Sequence, residues 1–228
     1  MWIGLVGSEM CIRDSFENNP KIGWGFYGHR LNLYRNTTPH NGFNILHKWA
    51  RDKDNDYFIY TSNVDGAFQK AGFSSSKIVE CHGSIHHLQG LESRYDRRMK
   101  GHIRSAEPFE VTVDENLHAQ GELPRNERGE LLRPNILMFG DWGWDSTRTD
   151  EQYRKMDKWL DNVDLNDTVV IEVGAGTSIP SVRRTSEQFS MAGATLIRIN
   201  PREAHGGDYC IAMGGLDGLT KIDSIYSA

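Results

Sequence analysis

The chain has 228 residues, of which 38% are hydrophobic and 25% are charged, as is usual for a globular protein with one ample core or a large domain with a small insert. The formal net charge of −5 argues against nucleic-acid binding as the main function, and no apolar run approaches the roughly 18 residues that a membrane helix needs. Three cysteines without a repeated spacing favour a reducing compartment, so we expect a cytoplasmic protein.

The first residues, MWIGLVGSEMCIRDS, differ in character from the rest of the chain. The codons that can encode residues 10–14 match a transposase-end adaptor used in DNA library preparation. We therefore interpret residues 1–15 as a non-native, adaptor-derived segment and leave them out of the fold prediction. A natural N-terminus of unusual composition is the alternative.

From Phe16 onward, helical patterns alternate with short apolar runs. Apolar residues recur at helical spacing in 43–50, and a strand-like run follows at 57–61. A second helical pattern at 152–160 precedes strand-like runs at 167–173 and 194–200. Each run ends in small or polar residues, as buried parallel strands do. This alternation predicts an α/β fold with a Rossmann-like parallel sheet.

The stretch from residue 90 to residue 132 interrupts this alternation. It is rich in charge and carries no clear period of apolar residues. We predict that 90–132 forms a small inserted module, and that 16–89 and 133–228 together form the Rossmann-like domain.

Polar residues and glycines follow three of the predicted strands. Asn63 and Asp65 come after the first strand, Gly176, Thr177 and Ser178 after the second, and Asn200 ends the third. Ligands in open α/β sheets bind beyond the carboxyl ends of the strands, and bare amides with hydroxyls suit phosphate or ribose. Each element alone is compatible with an ordinary turn, but together they predict a nucleotide-sized groove.

The segment VECHGSIHH, residues 79–87, gathers three histidines, a cysteine and a glutamate. A metal site would require His82 and His86 on one helical face, and Gly83 disfavours a helix there. The segment alone is equally compatible with a catalytic base or with a polar edge of the core. If no metal is bound, His86 and His87 are predicted to be surface or loop residues.

Five motifs in the order TSNVDGAFQKAG, ECHGS, RPNILMFGD, GAGTS and INPRE resemble the sirtuin family of NAD-dependent protein deacylases, over about residues 24–222. The resemblance implies an enzyme that uses NAD and acts on an acylated-lysine protein or peptide. It also implies the products, which are free lysine, nicotinamide and O-acyl-ADP-ribose.

The resemblance further implies roles for individual residues. His82 matches the catalytic histidine, and a neutral imidazole near pH 7 can take a proton from a ribose hydroxyl. Phe139 and Gly140 match the strand that pairs with the acyl-lysine peptide. The positions that match NAD-contacting residues are Asn63, Asp65, Gly176, Thr177, Ser178 and Asn200.

The chain also departs from the family pattern. No cysteine stands at Gly90, Ser93, Asn126 or Gly129, where the paired zinc cysteines would fall, so we expect no bound zinc. The family's first strand and its GAGxS turn do not precede Trp24. We therefore expect an incomplete sheet, weak NAD binding, and slow or absent turnover.

Two other functions remain open at this point. A non-catalytic module would bind NAD or ADP-ribose without turnover, and an NAD glycohydrolase would release nicotinamide without any peptide. The predicted peptide-pairing strand favours the deacylase over the glycohydrolase. The sequence does not predict the oligomeric state.

Overall fold

The computed structural model describes residues 5–54, 56–91 and 102–226, with side chains from residue 12 onward. The described helices are α1 (Leu5–Asn18), α2 (Pro20–Asn36), α3 (Asn41–Asp52), α4 (Ala67–Lys70), α5 (Thr147–Leu160), α6 (Ser181–Met191) and α7 (Gly215–Tyr226). The described strands are β1 (Ile59–Thr61), β2 (Ile78–Glu80), β3 (Gly83–Gly90), β4 (Arg104–Ser105), β5 (Thr112–Val113), β6 (Ala119–Gln120), β7 (Leu132–Ile136), β8 (Val169–Val173), β9 (Thr195–Ile199) and β10 (Tyr209–Ile211).

The described residues form two compact units, each with its own core. The first unit contains the chain up to residue 37 together with 63–67 and 82–151, and the second contains 38–62, 68–81 and the chain from residue 152 onward. None of the helices that the structure describes is both long and apolar enough to cross a membrane.

The core of the first unit forms around α2. Trp24 is fully buried, and its indole Nε1 donates a hydrogen bond to the carbonyl of Leu132 at 2.8 Å. Phe16 of α1 stacks on Tyr27, with ring centroids 5.8 Å apart. These contacts tie α1 and α2 to the antiparallel sheet of order β4-β3-β7.

Part of the predicted insert packs against the same helix. Ala106 and Val111 belong to the core of the first unit, and Arg35 of α2 donates to the carbonyl of Phe109 at 2.7 Å. The hairpin of β5 and β6 continues this contact. Apolar side chains at 106–119 are thus buried against α2. The domain boundaries drawn from the sequence stay a prediction.

The second unit contains the parallel strands. β1 pairs with β2, and β8, β9 and β10 form a second sheet of order β10-β9-β8, which confirms the predicted α/β fold with parallel strands. The helical patterns predicted at 43–50 and 152–160 fall within α3 and α5. Ile45 of α3 and Leu219 of α7 pack on Ile199 of β9, so the helices cover the sheet as the apolar spacing predicts.

A buried ion pair crosses the ladder between β8 and β9. Glu172 and Arg198 are register partners, and both side chains are 0% exposed. The Arg198 guanidinium donates to the Glu172 carboxylate at 2.6 and 3.0 Å. Two parallel bonds of this kind fix both side chains in one geometry.

Candidate active site

The loop with Asn63 and Asp65 is attached to β3 within the first unit. The amide of Ile85 donates to the carbonyl of Val64 at 3.0 Å. The His86 ring nitrogen Nε2 lies 2.8 Å from the carbonyl oxygen of Asp65, and because a carbonyl only accepts, this nitrogen carries the proton. The loop therefore has a fixed position on the strand that begins directly after His82.

Local sequence explains the shape of this loop. The Asp65 carboxylate accepts a hydrogen bond from the amide of Ala67 at 2.9 Å, where α4 begins. Gly66 has φ +68°, and a Cβ there would lie 2.7 Å from the imidazole of His86. The Asp-Gly pair thus permits the turn and leaves room for the histidine ring.

His86 and His87 lie inside β3 and are half-buried, so the prediction that they are surface or loop residues is wrong. The turn after Asp65 leaves a carbonyl that needs a donor, and His86 supplies it. Sequence reasoning missed His86 as a positioning residue. The spacing of three residues between Gly83 and His86 does not indicate this role, because the direction of the His86 side chain depends on the bulge in the pairing of β3 with β7.

His82 is half-buried in the turn that leads into β3. Its carbonyl accepts a hydrogen bond from the amide of Leu137 at 2.9 Å. Gly83 follows with φ +79°, and a Cβ at this position would lie 2.0 Å from the carbonyl oxygen of Asn135. Only glycine fits here, so the His-Gly pair fixes the backbone from which the imidazole projects.

Phe139 and Gly140 lie in a turn and not in a strand, so the strand predicted for them is wrong. β7 ends at Ile136, and the amide of Asp141 donates back to the carbonyl of Met138 at 3.1 Å. The Asp141 carboxylate is buried and lies 2.8 Å from the Arg133 guanidinium. This charge pair draws the chain inward and closes the turn. The peptide-binding role of Phe139 and Gly140 stays a prediction.

Helix α1 contacts this turn through Arg13. The guanidinium donates to the carbonyl of Gly140 at 2.5 Å and to that of Phe139 at 3.3 Å. Backbone carbonyls of this kind are the acceptors that a paired peptide strand would use. Arg13 belongs to residues 1–15, which we interpreted from the sequence as non-native. Its side chain thus occupies two carbonyls that the predicted substrate site would offer to a peptide.

Asn200 and the GAGTS loop lie together in the second unit. The Asn200 side chain is buried, and its Nδ2 donates to the carbonyl of Ala175 at 3.0 Å. Its Oδ1 accepts from the amides of Arg202 and Glu203 at 2.9 and 3.0 Å. Asn200 therefore joins the loops that follow β8 and β9. Its predicted contact to NAD stays a prediction.

Glu203 completes this group, and sequence reasoning missed it. Its carboxylate accepts from the amide and the hydroxyl of Thr177 at 3.0 and 2.6 Å, and these bonds hold the pKa of Glu203 below its usual range. Ser178 is exposed, and a Cβ at Gly174 would meet nothing within 4 Å. A carboxylate beside an exposed hydroxyl suits a diol and repels a phosphate, and the NAD contact predicted for Thr177 and Ser178 stays a prediction.

Within the described parts of the chain, no three His, Cys, Asp or Glu side chains form a group that could hold a metal ion. Gly90, Asn126 and Gly129 lie in described segments, and Ser93 lies outside the described residues.

Comparison with known proteins agrees with the motif order. The model of the Sir2 family matches residues 2–179. A protein named NAD-dependent protein deacylase from Aquifex aeolicus (strain VF5) is 31% identical over 143 residues, which cover 62% of this chain and 52% of that protein. A protein of the same name from Leptospira interrogans (strain 56601) is 26% identical over 204 residues, which cover 90% of this chain and 73% of that protein.

Solved structures agree on the fold. A Sir2 homologue in complex with NAD matches 93% of this chain and 74% of its own, with a TM-score of 0.67 and 19% identity. Sir2 bound to an acetylated peptide matches 94% of this chain and 82% of its own, with a TM-score of 0.68 and 17% identity. The chain spans about half the length of the Aquifex relative. Because the family model covers most of the chain, the protein belongs to the Sir2 family.

Proposed function

We propose that this protein is an NAD-dependent protein-lysine deacylase that releases nicotinamide and O-acyl-ADP-ribose. The main support is the geometry around His82. The turn of His82 and Gly83 leads into β3, and β3 is hydrogen-bonded to the loop that carries Asn63 and Asp65. Relatives from Aquifex and Leptospira are named NAD-dependent protein deacylases, and Sir2 structures of the same fold hold acetylated and propionylated peptides.

His82 acts as the general base in this proposal. Its imidazole takes the proton from a ribose hydroxyl, which raises the nucleophilicity of that oxygen. Bound NAD supplies the ribose that receives the acyl group and the nicotinamide that leaves. Gly83 fixes the backbone that follows His82, because no residue with a Cβ fits at this position.

The remaining residues bind and orient the substrates. Asn63 and Asp65 contact the nicotinamide end of NAD. In the second unit, the hydroxyls of Thr177 and Ser178 with the backbone at Gly176 contact the ribose of the adenosine, and Asn200 holds their loop. The carbonyls of Phe139 and Gly140 accept hydrogen bonds from the acyl-lysine peptide.

We also propose that the protein acts in the cytoplasm. Cys81 and Cys210 are free thiols, as expected where glutathione keeps cysteines reduced. Burial raises the pKa of the Cys81 thiol, which keeps it protonated and unreactive.

The experiment is nicotinamide release from NAD with and without an acetyl-lysine peptide. We expect slow release, and only with peptide, and a further fall of about 10²–10⁴-fold in His82→Ala, as is usual when a general base is lost. His29→Ala is the matched control, because His29 is an exposed histidine of the same unit. Release without peptide would assign a glycohydrolase, and tight NAD binding without release would assign a binding module.

A further inference from the structure

The segment 90–132 lacks the side chains that bind structural zinc. It contains no cysteine, and its two histidines are His102 and His118. A structural zinc ion takes a closed tetrahedral set of thiolates and imidazoles, and two imidazoles leave that set incomplete. The residues present therefore do not fit the zinc that the family resemblance implies, and other contacts hold this segment to the sheet.

The turn at 126–130 is closed by the side chain of Asn126. Its Oδ1 accepts hydrogen bonds from the amides of Arg128 and Glu130, both at 3.0 Å. The Asn126 backbone adds two bonds, from its amide to the carbonyl of Glu130 at 3.0 Å and from the amide of Gly129 to its carbonyl at 2.9 Å. Asn126 and Gly129 are the positions where the second pair of zinc cysteines would fall. Hydrogen bonds thus fix a turn that a metal ion would otherwise fix.

Glu130 connects this turn to the end of β3. Its side chain is buried, and its carboxylate accepts a hydrogen bond from Nδ2 of Asn126 at 2.6 Å. A Cβ built on Gly90, the last residue of β3, would lie 2.2 Å from Oε1 of Glu130. The carboxylate therefore fills the space beside Gly90, where a cysteine of the first zinc pair would stand.

The backbone keeps the two segments side by side at this point. The amide of Leu91 donates to the carbonyl of Leu131 at 3.0 Å, and Gly90 is the register partner of Leu132 in β7. The end of a glutamate side chain can usually swing away from a neighbour. The bond from Asn126 and the burial of the carboxylate oppose such a movement here.

We propose that Asn126 and Glu130 replace the zinc ion in this chain, holding the turn at 126–130 against the end of β3, so that the fold does not depend on metal. A structural zinc ion joins two segments through its ligand bonds, and its binding free energy is part of the folding free energy. Here a charge-assisted hydrogen bond and a carboxylate packed against a glycine make the same connection. The proposal concerns the first unit alone and is independent of the deacylase reaction.

The first test measures metal dependence. The whole chain is unfolded by heat in EDTA and in added zinc, and the zinc content is measured in protein purified without a chelator. We expect the same melting temperature in both solutions and no stoichiometric zinc, because no ligand bond contributes to folding. Stoichiometric zinc in the purified chain, or a melting temperature that EDTA lowers, would overturn the proposal.

The second test removes the bond between the two side chains. Asn126→Asp keeps an oxygen for the amides of the turn but replaces the Nδ2 donor by an oxygen that repels the Glu130 carboxylate. We expect amide hydrogen exchange at 126–131 to become at least about tenfold faster, as for the loss of a buried hydrogen bond to a charged group. Asn116→Asp is the control, because Asn116 is an exposed asparagine of the same segment. Equal exchange at 126–131 in both variants would contradict the role of Asn126.

The third test is a double-mutant cycle between Gly90 and Glu130. Gly90→Ala should lower the melting temperature of the wild-type chain, because its Cβ meets the fixed carboxylate. In the Glu130→Ala background the same change should be neutral or stabilising, because alanine restricts the unfolded chain more than glycine does. In the Glu122→Ala background, where an exposed glutamate of the same segment is removed, the full loss should remain. Additive effects of Gly90→Ala and Glu130→Ala would show that the carboxylate does not hold this space.

Discussion

Replacement of Arg198 by methionine is expected to destabilise the second unit strongly. The guanidinium forms two hydrogen bonds to Glu172, a third to Glu187 at 3.0 Å and a fourth to the carbonyl of His205 at 2.6 Å. Methionine keeps an unbranched apolar side chain but leaves the Glu172 charge buried beside it. Removal of one partner from a buried ion pair costs about 3–5 kcal/mol.

This loss is large compared with the stability of a natural domain, which is about 5–15 kcal/mol. For a chain of this size, each kcal/mol lowers the melting temperature by about 2–4 °C, so the expected fall is about 6–20 °C. The loops that carry Asn200 and Thr177 follow β9 and β8 directly, and they should lose order at lower temperature than in the wild type.

The assay is thermal and urea unfolding followed by circular dichroism. Arg184→Met serves as the control, because Arg184 is an exposed arginine on α6, and it should change the stability by less than about 0.5 kcal/mol. The double variant Glu172→Leu with Arg198→Met removes both charges and should recover at least half of the loss. A single variant within about 1 kcal/mol of wild type, or a double variant no better than the single one, would refute the reasoning.

Three smaller perturbations test other contacts. His86→Phe keeps the ring but loses the hydrogen bond to Asp65, so NAD should bind roughly tenfold more weakly in titration calorimetry, a cost of about 1–1.5 kcal/mol. Arg13→Ala frees the carbonyls at 139–140, so the KM for acyl-lysine peptide should fall several-fold while kcat stays constant. The amide resonance of Thr177 should titrate as the pH falls below 4.5, because Glu203, with its lowered pKa, is then protonated and loses these bonds; Glu203→Gln should abolish this titration.

The sequence predicted the elements whose patterns are local. Apolar periods at 43–50 and 152–160 identified α3 and most of α5, and apolar runs identified β1, β8 and β9. Helical spacing and strand alternation depend only on neighbouring residues, so one sequence is enough to read them.

Contacts between distant segments could not be read in this way. The division of the parallel strands into two sheets depends on which edges meet. The turn at Phe139 depends on a buried pair between Arg133 and Asp141, and the place of His86 depends on the bulge opposite β7. Such features follow from tertiary packing, which no pattern of neighbouring residues encodes.

For the candidate site, too, the sequence predicted the local segments but not all of the contacts between them. The motifs identified four segments, which contain His82, Asn63, Thr177 and Asn200. In the structure, the loop of Asn63 is hydrogen-bonded to β3, which begins directly after His82, and the loop of Thr177 is hydrogen-bonded to Asn200. Sequence reasoning did not identify Glu203 as the acceptor for Thr177, because a lone glutamate after a strand carries no signal of its partner.

The central claim is acyl transfer from lysine to the ribose of NAD, with His82 as the base. The most direct measurement is mass spectrometry of the products formed from NAD and an acetyl-lysine peptide. The account predicts O-acetyl-ADP-ribose and nicotinamide in equal amounts, both at least 100-fold lower with His82→Ala. Nicotinamide with plain ADP-ribose and an unchanged peptide, or equal product from His82→Ala, would contradict it.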